Sequence, residues 1–394
     1  MKSKAVIFLF VMCLLFSACQ RNVNNKNTES TANDALKSSE IKAVWINYGE
    51  LDEIIKKSEN SKELEENIKN TVLNCKTLGL NRIILHTRAF ADAYYYSDIF
   101  PESEYLAKKI KSSRNFDPLR IFCEIAHENG LQIDAWINPY RISYSNDTSP
   151  FTENSVIKEM LSAKDGKDIS VIDSGIFFNP SSEKVQKLIL DGVREILENY
   201  DVDGIHIDDY FYPVTDESFD KPSYEAYKKG GGRLSLSDWR RENVNNMVSQ
   251  LYAVVKSHNN GLMFSISPCG DIKKNYNDFY ADVELWCSQQ GYADCIIVQA
   301  YYGFEHEKLP FESVVKEWGK IVNSDYVKLC FGLACYKSGT EDKYAGSGIN
   351  EWKENDGIIL RQMSYLNSEE NSFGVCFYSY SSLFSEKNSN IRVN

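Results

Sequence analysis

The sequence predicts a single (β/α)8 barrel over residues 41–394. Eight short apolar runs are separated by amphipathic stretches. The runs are rich in Val, Ile, Phe and Tyr and contain no internal Pro, as expected of parallel strands that are buried on both faces. Alternation of strands and helices implies a parallel sheet, and eight strands imply that the sheet closes into a barrel.

Loop lengths indicate which end of this barrel carries function. The links from helix to strand are short and often contain Gly, whereas the links from strand to helix are long, at about 89–116, 139–180, 210–236 and 335–352. Elaboration is therefore concentrated on the rim at the carboxyl ends of the strands, where barrel enzymes place their active sites.

The elements follow in chain order. The predicted strands are 42–48, 82–87, 132–138, 204–209, 263–267, 295–301, 327–334 and 374–380. One helix opens with Asp117 as N-cap and Pro118 in the first turn, and further helices are predicted at 181–200, 237–258, 311–322 and about 355–366. Only residues 381–394 follow the last strand, too few and too polar for a full eighth helix, so we expect that helix to be incomplete.

The N-terminus is typical of a processing signal. Lys2 and Lys4 precede an apolar run at 5–16, which is short for a membrane-spanning helix. The run ends in Ser17-Ala18-Cys19, which resembles the lipobox of bacterial lipoproteins. We therefore expect a signal peptide at 1–18, lipidation of Cys19, a disordered tether at 19–40 and an extracytoplasmic barrel anchored to the membrane. The alternative is an ordinary secretory peptide with an incidental Cys.

Charge and cysteine content limit the function classes. The formal net charge of −12 argues against nucleic acid as a partner. Eight cysteines follow Cys19, most of them in apolar context and with no CxxC pair, so we expect small buried side chains rather than a disulfide framework. No cofactor is indicated, and the leading interpretation requires no metal.

Polar side chains collect at the carboxyl ends of the predicted strands. They are His86, Arg88 and Asp92 after strand two, Asn138 and Arg141 after strand three, His206, Asp208, Asp209 and Tyr212 at strand four, and Gln299, Tyr301 and Glu305 at strand six. Alternation along a strand places His206 and Asp208 on one side and Asp209 on the other. We expect Asp208 near the barrel axis with Arg88 and Asn138 beside it, and ionised because of the Arg.

This set of residues favours glycosidic bond chemistry. Cleaving such a bond needs two carboxyl groups, one ionised and one protonated. Sugar rings stack on aromatic faces, and the chain contains 24 Tyr. The aromatic residues expected at the rim are Tyr94, Tyr95, Tyr96, Trp136, Tyr140, Tyr210, Phe211, Tyr212, Tyr301, Tyr302, Tyr336 and Tyr380.

Several motifs together resemble the bacterial glycosyl-hydrolase-like family ten. They are AVW at 43–45, FADAYYY at 90–96, AWINPYR at 135–141, FNP at 178–180, DGIHIDDYFYP at 203–213 and SISP at 265–268. The resemblance spans residues 41 to about 380 and implies a barrel hydrolase for cell-envelope or other glycans. Some members resemble enzymes that cut peptide-free peptidoglycan strands.

A second resemblance, to two other barrel families, shows that the acid Glu of those families is missing here. Residues 203–210 parallel the strand-four motif of chitinase-like barrels, but Tyr210 occupies the position of the acid Glu. The spacing of Gly204 to Asp208 parallels the strand-four nucleophile of amylase-type barrels, yet no acid Glu follows strand five. The substrate-assisted mechanism of the chitinase-like family is therefore not expected here.

Three functions remain open from the sequence. In the first, the chain is a glycosidase with Asp208 as nucleophile or general base, Asp209 as second candidate and Asp92 or Glu305 as acid. The strand-end residues expected to bind the polysaccharide are Arg88, Asn138, Arg141, His206, Tyr212, Gln299, Tyr301 and, where it is not the acid, Glu305. The alternatives are a catalytically inactive glycan-binding barrel, and a metal-dependent hydrolase using His86, His206, Asp208 and Asp209.

Overall fold

The structure is a closed barrel of eight parallel strands, which confirms the predicted fold class. It is a computed structural model that describes residues 40–110, 115–149, 151, 155–322 and 325–393. The barrel strands are β1 (Ile41–Ile46), β2 (Arg82–Arg88), β3 (Gln132–Ile137), β7 (Gly204–Ile207), β8 (Met263–Ile266), β9 (Cys295–Gln299), β10 (Lys328–Ala334) and β11 (Gly374–Tyr378). Neighbours around the barrel follow the order β1-β11-β10-β9-β8-β7-β3-β2.

Helices cover the outside of the barrel. They are α1 (Tyr48–Lys56), α2 (Ser61–Leu78), α3 (Glu104–Ile110), α4 (Pro118–Glu128), α5 (Val156–Ala163), α6 (Glu183–Asn199), α7 (Lys221–Lys229), α8 (Leu236–His258), α9 (Ile272–Asn277), α10 (Val283–Ser288), α11 (Phe311–Ile321), α12 (Glu351–Glu354), α13 (Ile358–Asn367) and α14 (Tyr380–Leu383). The α4 start is as predicted, because the Asp117 side chain accepts a hydrogen bond from the Arg120 amide and Pro118 occupies the first turn.

The hydrophobic core has two parts, one on each side of the strands. The larger part fills the space between strands and helices and includes Ile205, Ile207 and the inner face of α6. The smaller part lies inside the barrel and contains Trp45, Trp136 and several cysteines. Seven of the eight cysteines that follow Cys19 are buried, as predicted. Strands with both faces in contact with apolar groups explain the nearly unbroken apolar runs.

The long link after β3 contains a small antiparallel sheet that the sequence did not predict. Its strands are β4 (Arg141–Ser143), β5 (Ile169–Ile172) and β6 (Gly175–Phe178), in the order β4-β6-β5. The sheet lies on the rim, and β4 begins at Arg141. The sheet therefore fixes the backbone at the end of the AWINPYR motif and just after it.

The end of the barrel is short, as expected. After β11 the described residues form only the four-residue helix α14 and a 3₁₀ turn at Glu386–Asn388. Among the described residues, every helix is too short or too polar to span a lipid bilayer. The predicted signal peptide, Cys19 and residues 20–39 of the tether lie outside the described residues.

Candidate active site

Asp208 lies at the mouth of the barrel, directly after the end of β7. It is buried, and Trp136 Nε1 donates a hydrogen bond to its Oδ2 at 3.0 Å. Asn138 Nδ2 lies 3.3 Å from Oδ1 and 3.4 Å from Oδ2. Trp136 lies on β3, which pairs with β7 in the barrel, and Asn138 directly follows β3. The two adjacent strands therefore fix the orientation of this carboxyl group.

Asn138 is itself held by the turn that follows it. Its Oδ1 accepts hydrogen bonds from the backbone amides of Tyr140 and Arg141, at 3.2 and 2.9 Å. The side-chain amide nitrogen is then directed toward Asp208. The motif Asn-Pro-Tyr-Arg thus orients one donor for the carboxyl group and starts β4 at the same time.

Arg141 is the cation nearest this site. Its guanidinium donates to the carbonyl of Ala89, with Nη2 at 3.1 Å. The rings of Phe90, Tyr144 and Tyr210 surround it, with centroids 4.8, 4.5 and 4.6 Å from Cζ. Arg141 therefore ties together three loops of the rim while keeping a positive charge beside Asp208.

The protonation of Asp208 is set by burial. Burial, helped by the charge of Asp209, raises the pKa of Asp208 to about 7, against the opposing effects of Arg141 and the hydrogen bond from Trp136. The sequence-based expectation of an ionised carboxylate is thus reversed below about pH 7, because loss of hydration outweighs the nearby cation. A carboxyl group of this kind can donate a proton at neutral pH.

Asp209 is held by a residue of β9. Gln299 Nε2 donates to Asp209 Oδ1 at 3.0 Å and to the Ser267 carbonyl at 2.9 Å. Burial raises the pKa of Asp209, whereas the hydrogen bond from Gln299 and the charges of Lys274 and Arg141 lower it. Gln299 therefore positions the second acid.

Arg88 does not lie beside Asp208, so this part of the prediction is wrong. The pairing of β2 with β3 shifts register between His86 and Arg88, which is a β-bulge. The Arg88 guanidinium instead lies over Phe100, 4.4 Å from the ring centroid, next to Gly192 of α6. The extra residue turns this side chain away from the barrel interior.

The other candidate acids are separated from the pair. The Phe90 amide donates to Asp92 at 3.3 Å, and burial with the charge of Asp52 raises the pKa of Asp92 to about 7, while Arg88 lowers it. Asp92 thus belongs to the group around Arg88 and α1. Glu305 is exposed, and its backbone amide donates to Glu351.

Tyr212 is buried away from the mouth, contrary to its predicted role in binding. Its ring packs against Phe219 and Tyr280 and lies 5.1 Å from the Arg240 guanidinium. Arg240 forms a buried ion pair with Asp220. Tyr212 therefore contributes to a packed layer behind the loop that follows β7.

His206 is also enclosed. Trp45 Nε1 donates to His206 Nε2 at 3.1 Å, and His206 Nδ1 lies 2.8 Å from Ser265 Oγ. Ser267 Oγ lies 3.1 Å from Nε2, and burial lowers the pKa of His206 to about 3. Both nitrogens of this neutral ring are thus engaged below the level of Asp208.

The metal-dependent hypothesis lacks its ligand set. Within the described ranges, no three His, Cys, Asp or Glu side chains are arranged to hold a metal ion. Of the four proposed ligands, His206 has both nitrogens bonded to protein groups and Asp209 is held by Gln299.

Two groups of aromatic rings line the mouth. The first wall consists of Tyr48, Phe90, Tyr144 and Tyr210, which follow β1, β2, β4 and β7. The second wall consists of Tyr301, Tyr336 and Tyr378, from the ends of β9, β10 and β11, with centroids 5.8–6.0 Å apart. Sequence reasoning missed Tyr48, Phe90, Tyr144 and Tyr378, although Tyr48 and Tyr378 lie within predicted strands.

The two walls lie on different arcs of the barrel: the first ends at β7, which also carries the acid pair, and the second begins at β9, one strand beyond β8. Burial raises the pKa of Tyr378, and the charges of Glu50 and Asp208 add to that shift. Burial also raises the pKa of Tyr210, and the charges of Asp209 and Asp208 add to that shift. Each wall is therefore within electrostatic reach of Asp208. By contrast, Tyr94, Tyr95, Tyr140 and Phe211 are core residues.

The sequence matches a known protein family over most of its length. The model of the family described as glycosyl hydrolase-like 10 matches residues 40–346. Glycosyl hydrolase YngK of Bacillus subtilis is 30% identical over 324 residues, which cover 77% of this chain and 62% of that protein. Glycosyl hydrolase DigH of Escherichia coli K12 is 29% identical over 341 residues, 76% of each chain. The chain thus spans less than two thirds of the length of the Bacillus relative.

Solved structures support the fold. The glycoside hydrolase domain of PgaB (BpsB) from Bordetella bronchiseptica aligns with a TM-score of 0.59 at 12% identity, covering 90% of this chain and 99% of that one. The catalytic domain of β-amylase from Paenibacillus polymyxa aligns with a TM-score of 0.53 at 10% identity, covering 88% and 93%. These likenesses concern the barrel, whereas the family model matches most of this sequence, and the chain belongs to the glycosyl hydrolase-like 10 family.

Proposed function

We propose that this protein hydrolyses glycosidic bonds in a cell-envelope or extracellular polysaccharide, with peptidoglycan glycan strands as the first candidate. The observation that carries the proposal is the acid pair Asp208 and Asp209 at the centre of an aromatic mouth. Family membership supports glycoside chemistry. The walls of aromatic rings suit a chain of sugars, whose apolar faces pack on such rings.

Glycosidic bond cleavage needs one protonated and one ionised carboxyl group, so Asp208 and Asp209 together hold one proton. Asp208 holds its proton up to about pH 7 and donates it to the bridging oxygen as the glycosidic bond breaks. Asp209 acts as the carboxylate on the other side, either accepting a proton from the attacking water or bonding to the anomeric carbon before water releases the sugar. Asn138 and Trp136 orient the acid and are positioning residues.

Asp208→Asn tests the proposal directly. We expect the variant to fold as the wild type and to lose at least a hundredfold in the release of reducing ends from peptide-free glycan strands, because the amide cannot donate the proton. Glu217→Gln changes an exposed acid in the same loop and should leave the rate unchanged. Full activity in Asp208→Asn would contradict the proposal.

A glycan-binding barrel without activity is the second candidate. The segment after β8 supports it, since Ser267 occupies the region where a Glu acid is expected and its hydroxyl is bonded to His206. The same assay separates the two functions. Wild-type protein that retains the strands in a pull-down but releases no reducing ends would favour the binder.

We also propose that the barrel is held at the outer face of the membrane through a lipid on Cys19. The support is the lipobox-like segment alone. Metabolic labelling with a fatty acid and membrane fractionation test it, because Cys19→Ser should abolish both the label and the membrane association. Retention of the label in Cys19→Ser would contradict the proposal.

A further inference from the structure

His86 differs from the other histidine inside the barrel. It lies on β2 in register with Trp136 of β3, and the two rings stack with centroids 3.6 Å apart and planes 8° apart. Tyr48 of the first wall contacts the His86 ring edge-on at 5.7 Å. The indole of Trp136 therefore contacts both His86, through its face, and Asp208, through its N–H.

Neither nitrogen of His86 has a hydrogen-bond partner among the described residues, although the side chain is only 1% exposed. Leaving a buried polar group unpaired costs about 1–3 kcal/mol. His206, one strand beyond Trp136, shows what a structural histidine looks like here, since Trp45, Ser265 and Ser267 engage both of its nitrogens. Packing alone thus does not account for a histidine at position 86.

The β-bulge explains why His86 lies below the mouth. In a regular strand Arg88 would project on the same side as His86, two residues further toward the rim. The register shift instead places Arg88 against Phe100 and α6. As a result, the residue that contacts His86 on the side of the rim is Tyr48 of the first wall.

The charge state of His86 limits what it can bind. Burial and the charges of Arg141 and His206 lower the pKa of His86 well below its usual value. The ring is therefore neutral, with one N–H donor and one acceptor nitrogen. A sugar hydroxyl, which both donates and accepts, matches this pair better than a carboxylate does.

We propose that His86 contacts the substrate and binds a hydroxyl group of the sugar that lies at the mouth beside Tyr48, next to the bond being cleaved. This inference rests on the proposed function of the same site. It predicts a role in affinity and sugar specificity rather than in proton transfer. Glycans in which that hydroxyl is replaced by a charged group should bind more weakly.

Nitrogen NMR of the imidazoles can observe the contact. The chain has 5 His, so each resonance can be resolved and assigned by substitution. Peptide-free glycan strands titrated into the Asp208→Asn protein should shift the His86 nitrogens and leave those of His206 unchanged. Tryptophan fluorescence reports when the glycan has saturated the protein. If the His86 nitrogens have not shifted at that point, the inference is overturned.

Substitution gives a second, independent measurement. His86→Phe keeps a ring on Trp136 and removes two unpaired nitrogens, so we expect a protein at least as stable as the wild type with KM raised about tenfold. His86→Gln should recover part of the affinity, and His258→Gln, on the exposed end of α8, is the matched control. A His86→Phe protein that is less stable and has an unchanged KM would assign His86 to the core and overturn the inference.

The outcomes also separate this inference from the proposed function. A shift at His86 on binding, with no products from the wild type, would leave the contact in place and remove the hydrolase. If the wild type forms products and His86→Phe has the same KM, the hydrolase remains and the contact with His86 is removed. Strands that neither bind nor react would overturn both.

Discussion

Asp208 and Asp209 form a pair whose protonation is divided by their surroundings. Asp208 receives hydrogen bonds from Trp136 and Asn138, yet its burial and the neighbouring carboxylate still favour the neutral form. Asp209 has Gln299 as a donor and Lys274 as a cation that oppose the upward shift. Two carboxyl groups with different environments are the usual arrangement for splitting acid and base roles. Because the pair is coupled, a pH profile reports both groups together.

The pH dependence of cleavage tests this division. A proton donor whose pKa is about 7 is active below that pH, so kcat/KM should fall as the pH rises above about 7. Arg141 lowers the pKa of Asp208, and Arg141→Gln should therefore move the alkaline limb upward by roughly one unit. Arg141→Lys retains the charge and should leave the limb near its wild-type position. A limb that moves downward in Arg141→Gln would contradict this account.

The sequence predicted some of the residues that the structure brings together in the candidate site and misplaced others. Asp208, Asn138 and Gln299 follow from their positions at strand ends, because the carboxyl ends of parallel strands meet at one rim. Arg88 was misplaced because alternation along a strand fails at a bulge, and no local residue pattern marks this one. Tyr212 was misplaced because the path of an irregular loop determines which of its rings are buried.

At the level of elements, the small rim sheet holds the backbone of Arg141 in place, as β7 holds the backbone that leads into Asp208. Pairing of β4 with β6 fixes the backbone on which Arg141 and the ring of Tyr144 depend. The sheet was not predicted, since β4 has only three residues and β5 and β6 have four each. Strands this short carry too little alternation to be recognised, whereas the barrel strands and α6 were predicted to within two residues.

Gly175 gives a direct test of the rim sheet. Its φ is +139°, and a Cβ at this position would overlap the carbonyl oxygen of Ser143 in β4. Gly175→Ala should therefore displace β4 and destabilise the protein by about 1–3 kcal/mol, with weaker glycan binding because Arg141 and Tyr144 move. Gly357→Ala, where a Cβ meets no atom within 4 Å, is the control. Equal denaturation midpoints and affinities for both variants would show that β4 does not depend on this contact.

At the scale of the whole molecule, barrel closure determines where the aromatic walls lie. The first wall follows strands that are contiguous in the barrel order, β1, β2, β3 with its β4 extension, and β7, and the second follows β9, β10 and β11. The walls therefore belong to different arcs of one ring, which adjoin at β1 and β11 and are separated by β8 on the other side. The acid pair follows β7, at the end of the first wall that lies next to β8. We expect a bound sugar chain to contact both walls beside the acid pair, which predicts cleavage within a chain rather than removal of terminal sugars.

The dependence on chain length tests whether substrate crosses the mouth. Tyr144→Ala removes a ring of the first wall and Tyr336→Ala a ring of the second; both side chains are about half exposed. Loss of one ring that packs on a sugar costs about 1 kcal/mol, so each variant should bind long glycan strands several-fold more weakly. A disaccharide reaches only one wall and should respond to only one of the two substitutions. Tyr344→Ala, which alters a fully exposed rim tyrosine outside both walls, should change neither affinity. If long strands also respond to only one of the two substitutions, the bound chain does not contact both walls, which would contradict this expectation.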